Sequence, residues 1–278
     1  VSGSEPAASP LQVRSDGACR VLVLNRPQRR NALDDALLHA LCTALRDAQA
    51  DPAVRSIVLR GAGPCFSSGR DQKDAGNAAA DRAILQDGSL QATVGVFTDA
   101  LRLLIDSPVP TIAGVHGYAL AGGQALTLAC DFVVAERDSR FGNPEMQFGF
   151  PAAMNTALLA RHLGRRKALE IALTGAVYPA QEYERLGLVN RLAEPGGLDD
   201  ALARFVAAID ALAPWAVRRT KQLLRDAEAP GLHAAINAGD MLNQLLRANA
   251  QLQSVFESPE ATRERLQSQV RPETGTRP

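Results

Sequence analysis

The stretch Ile112–Asp131, IAGVHGYALAGGQALTLACD, decides the fold. It opens with a short apolar run, passes Gly117 and the pair Gly122-Gly123, and continues as small and aliphatic residues without charge before Asp131. That order predicts a buried strand, a tight turn and a buried helix whose first turn has almost no side chain. A helix start leaves backbone N–H groups unpaired and carries partial positive charge, so a bare Gly-Gly start lets a ligand oxygen approach those donors. A small oxyanion suits it best. Gly117 and Gly122 have P-loop spacing, but Gly123-Gln124 stand where that motif needs Lys then Ser or Thr, and the G-x-G-x-x-G fingerprint is missing. The competing reading is that these glycines only permit close helix–strand packing, and the stretch alone leaves both open.

Upstream, Cys19–Asn25 (CRVLVLN) reads as a strand ended by Arg26-Pro27, and Ser56–Arg60 (SIVLR) as a second strand broken by Gly61–Pro64. Between them, NALDDALLHALCTALRDA places Leu37, Leu38, Leu41 and Leu45 on one helical stripe, with Asn31 as cap and Asp34-Asp35 in the first turn. Strand, helix, strand argues for an α/β arrangement. Small residues at Ser67–Gly69 permit close backbone approach, and Lys73 adds a nearby positive charge. The Ala-, Asp- and Gly-rich segment 75–90 reads as a surface connection, with a pocket wall as the alternative. Gln91–Ile105 is a helix stopped by Pro108 and Pro110.

Downstream, Phe132–Ala135 is another buried strand. In Ser139–Pro151 the lone carboxylate of Glu145 lies among apolar and aromatic neighbours, where desolvation raises its pKa toward neutrality. The plainer reading is that Pro144-Glu145 begins a helix. Thr156–Thr174 reads as one helix with a basic interruption, and Ala180–Arg191 as a short helix turning at Gly187 into a strand. From Leu198 the composition shifts to helix formers. Helices are expected over Leu198–Leu212, Trp215–Ala227, Gly231–Phe256 and Pro259–Val270.

The whole chain sets wider limits. Its 278 residues are enough for a sizeable core, and 30 Lys+Arg against 30 Asp+Glu leave no global field for nucleic acid or an anionic membrane. No apolar run approaches a bilayer span, and VSGSEPAASP lacks the basic and apolar regions of a signal peptide. The four cysteines have neither C-x-x-C nor disulfide-framework spacing, which fits reduced thiols and a cytoplasmic location. Four histidines without ligand spacing give no expectation of a metal site.

Together these segments resemble the crotonase superfamily, the enoyl-CoA hydratase/isomerase family. The matching blocks are LNRPQRRNAL at Leu24–Leu33, FSSGRDQKD at Phe66–Asp74, GYALAGGQALTLACD at Gly117–Asp131 and FGNPEMQFGFP at Phe141–Pro151. ALEIALTGAVYPAQEYERLGLVNRL and SPEATRERL continue the likeness to about residue 270. The resemblance implies an α/β fold with a spiral core of repeated ββα units and a helical C-terminal subdomain. Residues 1–11 would be a disordered leader, 12–197 the core with the acyl-CoA site, 198–270 a helical region for trimerisation and pocket closure, and 271–278 a tail. It further implies an oxyanion hole from the backbone N–H groups of Arg70 and Gly122, which polarise the carbonyl of an acyl-CoA thioester. Coenzyme A would run along Arg26, Arg29 and Ala32 and along Ser68, Gly69, Asp71, Gln72 and Lys73. No metal or redox cofactor is implied, since coenzyme A belongs to the substrate. The assembly would be a homotrimer or a dimer of trimers.

The chain also departs from that family. Its hydratases use two glutamates; the second position matches Glu145, but the first is Ala125. A single carboxylate suffices for proton shuttling of the Δ3,Δ2-enoyl-CoA isomerase kind, which the sequence therefore favours. Hydration would need a substitute such as Gln124, Asn155 or Tyr118, and a non-catalytic acyl-CoA-binding protein is the remaining alternative. Phe148, Phe150 and Met154 are candidate pocket residues or core residues. Arg70 is larger than the small residue often found there, so its side chain is placed to reach the CoA phosphates or narrow the entrance.

Overall fold

Strands covered on both faces carry unbroken apolar runs, and those runs build the centre of this molecule. A computed structural model describes residues 9–71, 95–228, 236, 237, 240 and 241. Expectations for Gln72, Lys73, the 75–90 connection and most of the chain beyond residue 228 lie outside the described residues. The strands are β1 (Leu11–Asp16), β2 (Cys19–Leu24), β3 (Ser56–Gly61), β4 (Thr111–Val115), β5 (Tyr118–Leu120), β6 (Phe132–Glu136), β7 (Arg140–Gly142), β8 (Val177–Pro179) and β9 (Arg191–Ala193). The larger sheet runs β1-β2-β3-β4-β6-β9 and the smaller β5-β7-β8. All neighbours from β2 to β9 in the larger sheet are parallel, and only β1 is antiparallel.

The passes at β3, β4 and β6 of the large sheet are each followed by a segment in or bridged to the small sheet. After β3, Ser67 bridges Ala119 of β5 in parallel; β4 is followed by β5, and β6 by β7. A helical segment follows each of the last two passes: α3 after β5, and the 3-10 turn Pro144–Phe148 after β7. This is the repeated strand–strand–helix unit of an α/β spiral.

The helices are α1 (Asp35–Ala50), α2 (Val96–Ile105), α3 (Gly122–Ala129), α4 (Ala153–His162), α5 (Arg165–Thr174), α6 (Ala180–Arg185), α7 (Leu198–Asp210) and α8 (Pro214–Glu228). Leu37, Leu38, Leu41 and Leu45 of α1 join Leu101 and Leu104 of α2 in the main core. All eight residues of α3 are buried, which is why its sequence carries no charge. On the opposite face, Leu198 and Leu202 of α7 cover Val21, Val58, Ile112 and Val134. Helix α8 is fixed by Lys221, whose ammonium donates to Val109 O at 3.0 Å and pairs with Asp131, and by Arg225, which donates to Ser107 O at 3.1 Å.

Several expectations are corrected. The cap of α1 is Asp34, whose carboxylate accepts the Leu37 N–H at 2.7 Å, not Asn31. Arg30 and Asn31 both have positive φ, so the helix starts only beyond that turn, and the Asn31 amide bonds Ala62 O and Cys65 O instead. β1 begins at buried Leu11, inside the stretch read as leader, because Leu11 pairs with Leu24. The stretch read as a turn before Gly122 contains β5. The helix expected over Thr156–Thr174 is two, α4 and α5, separated at Leu163-Gly164.

Gly123 serves packing: a Cβ there would lie 2.7 Å from Ser67 O and 2.9 Å from Ser67 Cβ. Helix propensity alone favours Ala over Gly by about 1 kcal/mol, whereas overpacking costs roughly 1–3 kcal/mol. Gly123→Ala is therefore expected to lower the melting temperature in a calorimetric scan. An unchanged or higher value would contradict this account of the contact.

Candidate active site

The site is assembled from two loops lying side by side. Ser68 N–H donates to Arg30 O at 3.0 Å, and Ser67 Oγ donates to Asn31 O at 2.8 Å. Leu33 then forms a parallel bridge with Arg70: the Leu33 N–H donates to Gly69 O at 2.8 Å, and the Asp71 N–H donates to Leu33 O at 3.0 Å. In such an exchange the intervening Arg70 N–H points to the opposite side.

On that side lies the start of α3. A Cβ built on Gly122 would stand 3.2 Å from the Arg70 nitrogen, 3.3 Å from the Phe97 ring and 3.4 Å from Leu33. Gly122 N–H is the first of its helix and has no acceptor within it. Gly69, at φ +101°, would carry a Cβ 3.1 Å from Gly122 N and 2.8 Å from the Ala121 Cβ, so no other residue fits. Ala121 itself has φ 49° and ψ −117°, a strained conformation of the sort that costs about 1–3 kcal/mol and gathers at functional sites. It is held by its N–H to Gly142 O at 2.9 Å, and its carbonyl accepts from Asn155 Nδ2 at 2.9 Å and Ala125 N at 3.1 Å. The two readings of the glycine pair thus divide between its members: Gly123 packs against Ser67, and Gly122 faces a second amide.

Glu145 sits on the 3-10 turn after β7, with Pro144 at its start. Its Oε2 is fully enclosed without a hydrogen-bond partner among the described residues. Burial pushes its carboxyl up to about 7, opposed by hydrogen bonds from its own backbone and from the Asn155 side chain. The same Asn155 amide donates to the Ala121 carbonyl at 2.9 Å.

Other expected residues fall as follows. The Arg26 guanidinium is directed inward: it pairs with Asp34 at 2.9 Å and Asp71 at 3.0 Å and donates to Ala32 O. Arg26 and Asp71 therefore brace the two loops against each other. Arg29 is exposed at the end of the turn Pro27–Arg29, and Ala32 and Ser68 are half-buried nearby. The Arg70 guanidinium donates to Leu33 O at 3.0 Å and pairs with Asp35 at 2.9 Å, so it folds back on the start of α1 and not outward. Its carbon end stands 5.9 Å from the Phe97 ring centre. Met154 is part of the core, and Phe148 and Phe150 are half-buried.

Ala125 is fully buried in the main core, so the position expected for a first carboxylate holds only a methyl group. Gln124 is occupied at both ends: its Oε1 accepts from Tyr183 Oη at 2.8 Å and its Nε2 donates to Asn143 Oδ1 at 3.2 Å. Tyr183, which stacks on Phe141 with centroids 4.7 Å apart, gave no sequence signal of this role. Tyr118 lies beside Cys65, whose thiol donates to Arg30 O at 3.5 Å, and burial raises the Tyr118 pKa. Asn155 alone of the three named substitutes keeps a buried atom, Oδ1, without a partner among the described residues.

The family model for enoyl-CoA hydratase/isomerase matches residues 14–271. The chain belongs to the enoyl-CoA hydratase/isomerase family. A Thermus thermophilus protein named as an enoyl-CoA hydratase is 35% identical over 242 residues, covering 85% of this chain and 92% of its own. The enoyl-CoA isomerase/hydratase fer4 of Mycosarcoma maydis is 34% identical, covering 73% and 75%. Among solved structures, an enoyl-CoA hydratase/isomerase from Mycobacterium paratuberculosis has a TM-score of 0.80 at 26% identity, covering 90% of this chain and 98% of that one. One from Xanthobacter autotrophicus has 0.75 at 31%, covering 91% and 98%. The family and the crotonase fold inferred from the sequence are therefore established, and family members act on acyl-CoA thioesters.

The Glu145 environment has a measurable consequence. With its carboxyl raised in the folded state, the native protein holds a proton that the unfolded chain has already lost, so stability present at low pH is lost as pH rises through about 7. A shift of this size is worth on the order of 3 kcal/mol. Glu145→Gln is expected to raise the melting temperature at about pH 8, with the gain disappearing as the pH falls below the ordinary carboxylate range. Equal gains at both ends of that range would contradict it.

Proposed function

We propose that this protein moves a proton on an unsaturated acyl-CoA through a thioester enolate, with Glu145 as the sole proton carrier and the Arg70 and Gly122 N–H groups as the oxyanion hole. The observation that carries the reading is one carboxylate with an enclosed, unpartnered Oε2, Glu145, together with a fully buried Ala125 where a second carboxylate would stand. The adjacency of Arg70 N to Gly122 supports the hole. Each preorganised donor at the developing oxyanion is worth about 3 kcal/mol of barrier.

The favoured reaction is double-bond isomerisation. The Glu145 carboxylate removes a proton from C2 of a 3-enoyl thioester, and the electron pair delocalises onto the carbonyl oxygen facing the two amides. The same carboxyl then returns the proton at C4, leaving the double bond between C2 and C3. No external base, water or redox partner is required.

A second reading is water addition to a 2-enoyl-CoA, with Asn155 Oδ1 and Glu145 holding the water. The unpartnered Oδ1 and the hydratase names of the relatives favour it. In either case coenzyme A runs along the loops at residues 26–32 and 68–71. Exposed Leu212, Trp215, Leu223 and Leu224 suit a contact between identical subunits, as in the expected homotrimer or dimer of trimers. Among the described residues no helix is long and apolar enough to cross a membrane, which is compatible with a cytoplasmic enzyme.

The test is a turnover screen of purified protein against 3-enoyl- and 2-enoyl-CoAs of varied length, with Glu145→Gln in parallel. Isomerisation is expected in the wild type, falling by about 10²- to 10⁴-fold in the variant. Faster, Glu145-dependent hydration would reverse the order of the two reactions. Binding of CoA thioesters without turnover of either would replace the enzyme by a binding protein.

A further inference from the structure

Asn155 holds the strained corner and is the side chain that counters the burial of the Glu145 carboxyl. It lies in the first turn of α4, 4% exposed. Its Nδ2 donates to Ala121 O at 2.9 Å, one residue before Gly122. Glu145 Oε2 and Asn155 Oδ1 are both enclosed acceptors without a donor among the described residues. An Asn side chain has two N–H donors and one carbonyl oxygen, so it can hold Ala121, offer its second N–H to an ionised carboxylate, and accept from that carboxyl once protonated.

We propose that Asn155 is the positioning residue that fixes the Glu145 carboxyl against the Ala121–Gly122 corner and sets the pH at which it accepts a proton. The proposal rests on Glu145 being the proton carrier, and adds what holds that carrier in place when the second carboxylate is absent. A hydrogen bond to the charged form lowers a carboxyl pKa, in the direction opposite to burial. Asn155 thus acts with the Glu145 backbone against the upward push of burial. The titratable neighbour that feels the Glu145 charge is Tyr183 of α6, and burial raises its pKa well above the ordinary phenol value, so it stays neutral. From α5, Arg165, Arg166 and Glu170 are exposed, and Lys167 pairs with Glu170 at 2.8 Å. Those charges leave the control to Asn155.

Two variants test this: Asn155→Ala, which removes the amide, and Asn155→Leu, which removes it while keeping similar volume. The carboxyl of Glu145 is titrated directly by infrared difference spectroscopy, with Glu145→Gln as the blank, and the pH profile of kcat is recorded alongside. Both variants are expected to raise the Glu145 midpoint by about one pH unit, move the acid limb of kcat by the same amount, and lower kcat by about tenfold with little change in KM. If the midpoint and limb stay in place while only thermal stability falls, Asn155 is structural and the proposal is overturned. If one variant fails to fold, the other is scored by the same criterion. If both fail, exchange of α-protons on a saturated acyl-CoA by Asn155→Ser is read instead, and a wild-type acid limb overturns the proposal. Glu145→Gln leaving that exchange intact would remove the functional reading of Glu145, while the infrared midpoint would still decide the role of Asn155.

Discussion

The candidate site depends on one backbone exchange, the parallel bridge between Leu33 and Arg70. By engaging the amides of Leu33 and Asp71, it turns the Arg70 N–H out of the ladder and toward the start of α3. A side chain could be repositioned by a rotamer change; a peptide group locked on both sides cannot. The Arg26 guanidinium, clamped between Asp34 and Asp71, holds the two loops at the separation this exchange needs. Because both carboxylates and the guanidinium are largely buried, removing one partner would leave an uncompensated charge, which ties loop geometry to global stability.

The second constraint is electrostatic. A buried carboxyl resists ionisation, and among the described residues the Glu145 backbone and the Asn155 amide oppose that tendency. Gln124, one residue before Ala125, is held by Tyr183 and Asn143 in a fully buried chain of hydrogen bonds. Ala125 beside it is buried in the core and brings no second carboxylate to this neighbourhood.

Much of this was legible in the sequence because long, regular segments carry their own periodicity. The stripe of α1, the buried runs of β3 and β4, and the chargeless α3 were all readable, as was Glu145 among apolar neighbours. The small sheet was harder to read: β5, β7 and β8 have three residues each, too few for an alternating pattern, and they exist because the larger sheet and Ser67 position them. Asn31 is a common helix cap, yet two consecutive left-handed residues put it outside the helix and gave the role to Asp34. The inward direction of Arg26 and the backward fold of Arg70 are tertiary facts, since their acidic partners lie up to 45 residues away. The Ala121 corner gave no signal, because alanine ordinarily avoids positive φ.

The start of α2 is held by the Asp240 carboxylate, which accepts the Gly95 N–H at 3.1 Å across 145 residues of sequence. Phe97, two residues further on, is the ring that abuts Gly122. During synthesis on the ribosome, the walls around Gly122 can therefore form before the anchor for this ring has emerged. A chain terminated before residue 240 would carry Glu145 and the Arg70 and Gly122 amides while lacking the acceptor that secures the aromatic flank, a nascent-chain vulnerability built into the order of synthesis.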